Sequence, residues 1–387
     1  MKYNSIILAL LTFGTIFNSI AQTEPVRPIT TSVPTMLIAA DARSSGMGDM
    51  GIATPVDGFS QQWNPAKFVF SETRSGIGLA YTPYLRELVT DINLGQLTYF
   101  NRINQRSAFS GSLRFFSFGE IELRDSADDI GIIDEPNEFY VDLSYSLRLS
   151  EKFSMAVTGR FISSNLVVTS TGGDASAANT FAADISAFYR GEEKFYNNFN
   201  GRWRFGGAIQ NIGPKIKFDD VGQENFLPTN LKLGVGHDFI LDPSNTIGLY
   251  TEFNKLLVPT PPDTEGLSNA ESQQLINEYN DIGPFSGIFQ SFSDAPDGFS
   301  EELKEVTWAI GAEYWYEDSF AFRLGYFNES EEKGFRQFLT LGVGFRYSSI
   351  NIDASYLFST TPVQNPLEGT LRFSLTFNIG NDAYIEY

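Results

Sequence analysis

The chain has no cysteine and a single histidine, His237. Without cysteine there are no disulfides, no thiol nucleophile and no thiolate metal site, and one imidazole cannot build a histidine-rich metal cluster. A Ser-His-Asp centre would need His237 beside a serine and a carboxylate in a pocket, and nothing in the sequence gathers them. Val235 and Leu233 share its parity, which predicts an interfacial position on an outward strand face. Positive charge is also scarce: 27 Lys and Arg stand against 47 Asp and Glu, for a net charge of −20. That excludes nucleic acid as a natural partner. Past the first twenty residues no apolar run approaches the roughly 18 residues of a membrane-spanning helix. An exported chain of this kind is either soluble or a β-barrel.

What is present begins with an export leader over residues 1–21. Lys2 precedes an apolar run from Ile6 to Phe17, and Ser19-Ile20-Ala21 resembles a cleavage site, which would leave Gln22 first and, lacking cysteine, unlipidated. The 35 Phe, 17 Tyr and 34 Gly point to strands. Leu371, Phe373, Leu375, Phe377 and Ile379 alternate with Thr370, Arg372, Ser374, Thr376 and Asn378; Leu339 to Tyr347 repeats the pattern. Alternation alone fits a soluble sandwich or a membrane barrel equally.

Scanning for this period gives fourteen strands between residues 76 and 379, with a tail over 380–387. Their connections alternate between short and long, the longest running from Lys255 to Val306. An even strand count with short turns at one rim and long loops at the other predicts an all-β, 14-stranded antiparallel transmembrane outer-membrane barrel with both termini periplasmic. The link from Gly191 to Gly201 is an exception, too long for its class. The inward face would carry Arg114, Arg148, Arg160, Arg204, Arg323, Arg346 and Arg372 with Asp142, Asp184, Glu252, Glu313 and Asp353. These groups make either a structural network filling the lumen or a path for ions or substrate. Gly342 and Gly344 would leave room inside.

Residues 22–75 are too irregular for the wall and read as an N-terminal plug. Within them GMGDMG places Gly46, Gly48 and Gly51 at dinucleotide-loop spacing. No strand ends just before it, no long helix opens within it and position 71 is Ser, so the glycines read as backbone freedom in a compact plug. Asn64 and Pro65 mark a fixed turn. No cofactor is expected. The acidic stretch Glu120 to Glu138 misses the EF-hand spacing at Asp125, Asp128 and Asp129 and reads as a solvated loop. In the longest loop Ser268 to Glu271 is a capping box that opens a helix through about Tyr279. Beyond it Phe285, Ile288, Phe289, Phe292 and Phe299 form an apolar cluster, either a partner surface or a lid over the barrel mouth. Tyr84, Leu85 and Leu88 offer a second patch, which could equally pack on its neighbours.

Several stretches together, ITTSVPTMLIAADARSSGMGDMGIA, QQWNPAKF, AYTPYLRELVTDINLGQLTYF, SLRFFSFGEIELRD, IQNIGPKIKF and LPTNLKLGVGHDF, resemble the PorV family of the Bacteroidetes type IX secretion system. The similarity covers essentially the whole mature chain. It implies a FadL-like barrel with an N-terminal plug, embedded in outer-membrane lipid and without chemistry of its own. It further implies a carrier that receives cargo from the translocon barrel, SprA or Sov, by binding the cargo's folded C-terminal signal domain, and delivers it to a complex containing the sortase PorU. The competing expectation is a FadL-type channel for hydrophobic small molecules. An outer-membrane hydrolase would require His237, and His237→Ala is expected to be silent.

Overall fold

The computed structural model describes residues 27–86, 89–124, 131–166, 177–218, 223–264, 266–361 and 367–380. The expected leader, Leu88, the Asp125, Asp128 and Asp129 cluster and the tail past Gly380 lie outside these residues.

Fourteen strands close one antiparallel barrel: β1 (Ser75–Pro83), β2 (Asn93–Arg102), β3 (Ser107–Ser117), β4 (Asn137–Arg148), β5 (Phe153–Asn165), β6 (Ala178–Arg190), β7 (Phe199–Ile212), β8 (Asn230–Asp242), β9 (Asn245–Leu256), β10 (Val306–Tyr316), β11 (Phe320–Asn328), β12 (Gln337–Tyr347), β13 (Ile350–Ser359) and β14 (Leu371–Ile379). Each pairs with the next in sequence, and β1 pairs with β14 from Ser75↔Ile379 to Tyr81↔Phe373. Closure removes the open edge that a flat sheet would present to lipid. The two-residue period sorts the side chains. Phe109, Leu143, Phe181, Leu249, Phe322 and Phe373 are exposed on the outside, while Ser112, Asp142, Thr180, Glu252, Arg323 and Arg372 are buried on the inside. This is the inverse of a water-soluble protein, and an apolar band around a closed barrel is satisfied by acyl chains.

One rim carries the short turns, among them 243–244, 317–319 and 348–349. At Glu317 and Asp318 both φ angles are positive, 51° and 50°, and Ser319 N donates to Tyr316 O at 3.0 Å, the twist that tight hairpins favour. The exceptional link after β6 is a small hairpin of its own. Lys194–Tyr196 pairs with Phe199–Gly201 around Asn197, whose φ is 48°, and the Tyr196 and Phe199 rings stack at 5.4 Å. The other rim carries the long loops. Its longest, 257–305, holds helices Asn269–Asn280, Pro284–Gln290 and Phe299–Lys304, the first opened by the expected Ser268 and Glu271 capping box.

The segment before β1 lies inside the barrel and runs from rim to rim. Arg27 donates to Asp263 (2.8 Å) and Asp297 of the longest loop, and its backbone N–H reaches Glu332 O at 3.0 Å. At the opposite rim Arg74 N donates to Gly380 O at 3.1 Å. Ion pairs to the long loop hold Arg27, the first described residue, at the long-loop side, while β14 ends at the short-turn side; both termini lie outside the described residues.

Candidate functional site

The plug is seated in the wall by glycines. A Cβ on Gly325 would lie 2.0 Å from Met47 C, one on Gly206 2.1 Å from Ile52 O, and one on Gly342 3.0 Å from the Cα of Gly46. The room expected at Gly342 is therefore filled by the plug itself. Gly344 is crowded differently, by Asp353 Oδ1 at 2.5 Å and the Arg323 guanidinium at 2.8 Å.

The GMGDMG turn has its amides occupied. Gly51 N and Ile52 N both donate to Glu252 Oε2, at 2.8 and 2.9 Å, and Gly48 N donates to Thr340 Oγ1 at 2.9 Å. Gly48 has φ of +83°, and a Cβ there would lie 3.0 Å from Tyr326 O. Gly51 packs under the Trp63 ring, whose Nε1 donates to Asp41 at 2.7 Å. Asn64 accepts from Ala66 N at 3.1 Å and donates to Ile52 O and Ala187 O at 3.0 Å each, and Pro65 then starts the 3-10 turn Pro65–Phe70. The fixed turn is anchored to plug and wall at once.

Around this plug the inward charges pair as a network. Arg43 of the plug grips Glu313 through two bonds, at 2.9 and 2.8 Å, and meets Asp57 at 2.8 Å. Glu313 also accepts from Arg323 at 2.8 Å, and Arg323 reaches Asp353 at 2.7 Å. On the far wall Arg160 bridges Asp142 and Asp184, at 2.6 and 3.0 Å, and Arg114 donates to the plug carbonyls of Met36 (3.1 Å) and Ile38 (2.8 Å). Charges buried this way hold the plug only as a set, because removing one leaves its partner desolvated and unpaired. Two residues expected inside sit at the short-turn end of the lumen, outside this network. Arg148 bonds to the Ser150 and Glu151 carbonyls and Arg346 lies over Trp315 at 4.4 Å, both at the short-turn rim, where the strands end in water.

His237 faces outward as its parity predicts. It is buried there under aromatics, with ring centroids 4.5 Å from Trp203 and 4.4 Å from Phe239.

At the long-loop rim the apolar cluster is displayed to solvent. Phe285, Phe289, Phe292 and Phe299 are 67%, 77%, 50% and 76% exposed, and Ile288 is half-buried. Side chains packed down as a lid would be covered, and these four rings are at least half exposed. Beneath them Lys255 meets Glu302 and Glu305 (2.9 and 2.5 Å), and Lys333 meets Glu301 and Glu305 (2.6 and 3.1 Å). Burial beside Glu302 and Glu305 pushes the Asp294 carboxyl up to about 6. Burial acts on Glu301 in the same sense, but hydrogen bonds from Lys333 and the Asp297 amide outweigh it and hold that carboxyl below its usual range. Of the second patch, Tyr84 and Leu85 are described. Tyr84 packs edge-on against Phe116 at 5.5 Å beside Leu94 and Ile38, and Leu85 is half-buried with φ of 51°. The roles of Glu252 as acceptor for the plug and of Arg43 as its clamp were invisible in the sequence, because each depends on a partner some 200 or more positions away.

A family model described as type IX secretion system protein PorV matches residues 21–263. No curated protein matches the chain. Among solved structures, the P. putida toluene transporter TodX aligns with a TM-score of 0.50 at 12% identity, covering 89% of this chain and 99% of that one. A Pseudomonas aeruginosa FadL homologue gives 0.44 at 13% identity, covering 91% and 99%. The Ralstonia pickettii toluene transporter TbuX gives 0.45 at 14%, covering 88% and 97%. At such identities the TodX likeness is one of fold alone, a FadL-like barrel. The family model spans well over half of the sequence, and the chain belongs to the PorV family, outer-membrane components of the type IX secretion system.

Proposed function

We propose that this barrel is a carrier without enzymatic activity, which binds the folded C-terminal signal domain of secreted cargo as it leaves a SprA- or Sov-like translocon barrel and brings it to a PorU-like sortase. The supporting observation is the display of Phe285, Phe289, Phe292 and Phe299 on a loop whose base is fixed by buried ion pairs. Large apolar side chains held out on a rigid support are the form that protein-binding anchors take. In this reading the short turns face the periplasm and the long loops face outward, with Ile288 at the edge of the contact. Tyr84 and Leu85 support the plug, and Leu88 would extend the surface.

A strain lacking the protein is expected to stop exporting and anchoring type IX cargo. Complementation with Phe285→Asp and Phe289→Asp together should restore a folded barrel and leave export defective by tenfold or more, since anchor residues are worth about 2 kcal/mol or more each. Crosslinking from position 289 should label cargo, translocon or sortase. Intact export with lost uptake of apolar nutrients would instead favour a FadL-type channel.

A further inference from the structure

The short-turn rim holds two clefts that share a wall. The inner one, about 730 Å³, lies where the plug leaves the lumen and is faced by Arg102, Arg148 and Arg190. Arg102 donates to Ser71 O, Arg190 to Phe70 O at 3.3 Å, and Arg148 to Ser150 O and Glu151 O at 3.2 and 2.8 Å. Arg148 and Arg190 both lie over the Phe70 ring, at 5.3 and 5.9 Å. Carbonyls satisfy these donors without neutralising their charge. Among the described residues none of the three has a carboxylate within salt-bridge distance, and Arg102 Nε is buried with no hydrogen-bond partner. Of the acids in the cleft, Glu192 is held by Lys152 at 2.7 Å and Glu193 by Arg202 at 3.0 Å, while Glu72 and Glu151 are exposed. Three converging guanidinia without a salt-bridged carboxylate, Glu72 acting on Arg190 only at longer range, are unexpected in a chain of net charge −20.

The outer cleft, about 340 Å³, opens on the lipid-facing side. Its floor is Tyr189, Trp203 and Phe205, and Lys152 and Lys194 stand at its edge. Lys152, Gly191 and Glu192 line both clefts, so an apolar surface in the membrane leads directly to a cationic one at its boundary. Aromatic girdles mark the headgroup level of outer-membrane barrels, and clustered Lys and Arg there attract anionic headgroups.

We propose that this rim is a binding site for one anionic phospholipid. The acyl chain lies along Tyr189, Trp203 and Phe205, and the phosphate turns over Lys152 towards Arg148 and Arg190. A free phosphate would use only the inner cleft; the aromatic floor is what selects a lipid.

Trp203 provides the readout. The full-length mature barrel, reconstituted in vesicles, is titrated with phosphatidylglycerol or phosphatidylcholine bearing brominated acyl chains, which quench tryptophan on contact; a Trp203→Phe variant assigns the signal. Brominated phosphatidylglycerol is expected to quench Trp203 at several-fold lower mole fraction than the choline lipid. Arg148→Gln with Lys152→Gln should abolish that preference, at about fivefold for each cation removed, while Lys152→Arg should keep it. If the double variant fails the gel-mobility test of barrel folding, high salt on the wild type replaces it and should erase the preference. Equal quenching by both lipids overturns the proposal. So does loss of the preference on adding inorganic phosphate at constant ionic strength, which would mark a free-anion site.

Discussion

Glu252 stands where a dinucleotide-binding loop would hold a pyrophosphate. Two consecutive amides of a glycine-rich turn converge on one of its oxygens, so the anion that such a turn favours is supplied by the wall of the same molecule. Glu252→Ala would leave both amides buried without an acceptor, at about 1–3 kcal/mol each. The expected outcome is a lowered temperature for loss of the compact, fast-migrating form on a gel, with strand content unchanged at 25 °C. Asp294 gives a residue-level test of the outer loop. Its carboxyl is raised from the usual 3.8 to about 6, so the folded loop favours the neutral form, and the stability this contributes is present at low pH and lost as pH rises towards and through 6. Glu301 is held below its usual range and works in the opposite direction, but its window lies under the ordinary glutamate range. Amide exchange in helices Asn269–Asn280 and Phe299–Lys304 should therefore be slower at pH 5 than at pH 7.5, after correction for intrinsic rates. Asp294→Asn should remove the difference.

Among the elements, plug and wall meet glycine to backbone. Gly325→Ala puts a methyl group into the Met47 carbonyl carbon, and β11 is paired on both sides and cannot retreat. The plug should yield instead: limited trypsin digestion is expected to cut at Arg43 or Lys67 in the variant and spare the wild type, with barrel mobility on a gel unchanged. Protection equal to the wild type would mean that the wall, not the plug, gives way. The sequence announces strands far better than it announces this contact. A period of two is local, and Leu371 to Ile379 displays it in nine residues. The seat of Met47 needs Gly325 and Gly311, more than 260 positions distant, which no local pattern relates. The bulge in β7 was hidden for another reason. Between Ile209 and Ile212 the register shifts, and Asn211, with φ of 62°, turns inward to receive Arg160 and to donate its N–H to Asp184. There the requirement for a buried acceptor overrides the alternation.

On the scale of the whole molecule, the fourteen strands and the apolar exterior were legible because lipid imposes them all round. The rim occupied by Arg27 was not, since it follows from ion pairs with the longest loop, more than two hundred positions away. The Phe289 surface was legible as a choice between display and lid, and local sequence holds no term that decides between them. The decision comes from Glu301, Glu302 and Glu305, which turn the polar side of this loop down onto Lys255 and Lys333 and leave its rings outside.

The rim-to-rim course of the plug has a consequence for biogenesis. A folded segment as wide as the lumen cannot be threaded through a ring that is already shut, and this one is continuous with β1, half of the seam that β14 completes. Insertion therefore has to finish with the first and last strands zipping together around a cork already in place, and a nascent chain whose N-terminal segment is lost would close on an empty, charge-lined interior.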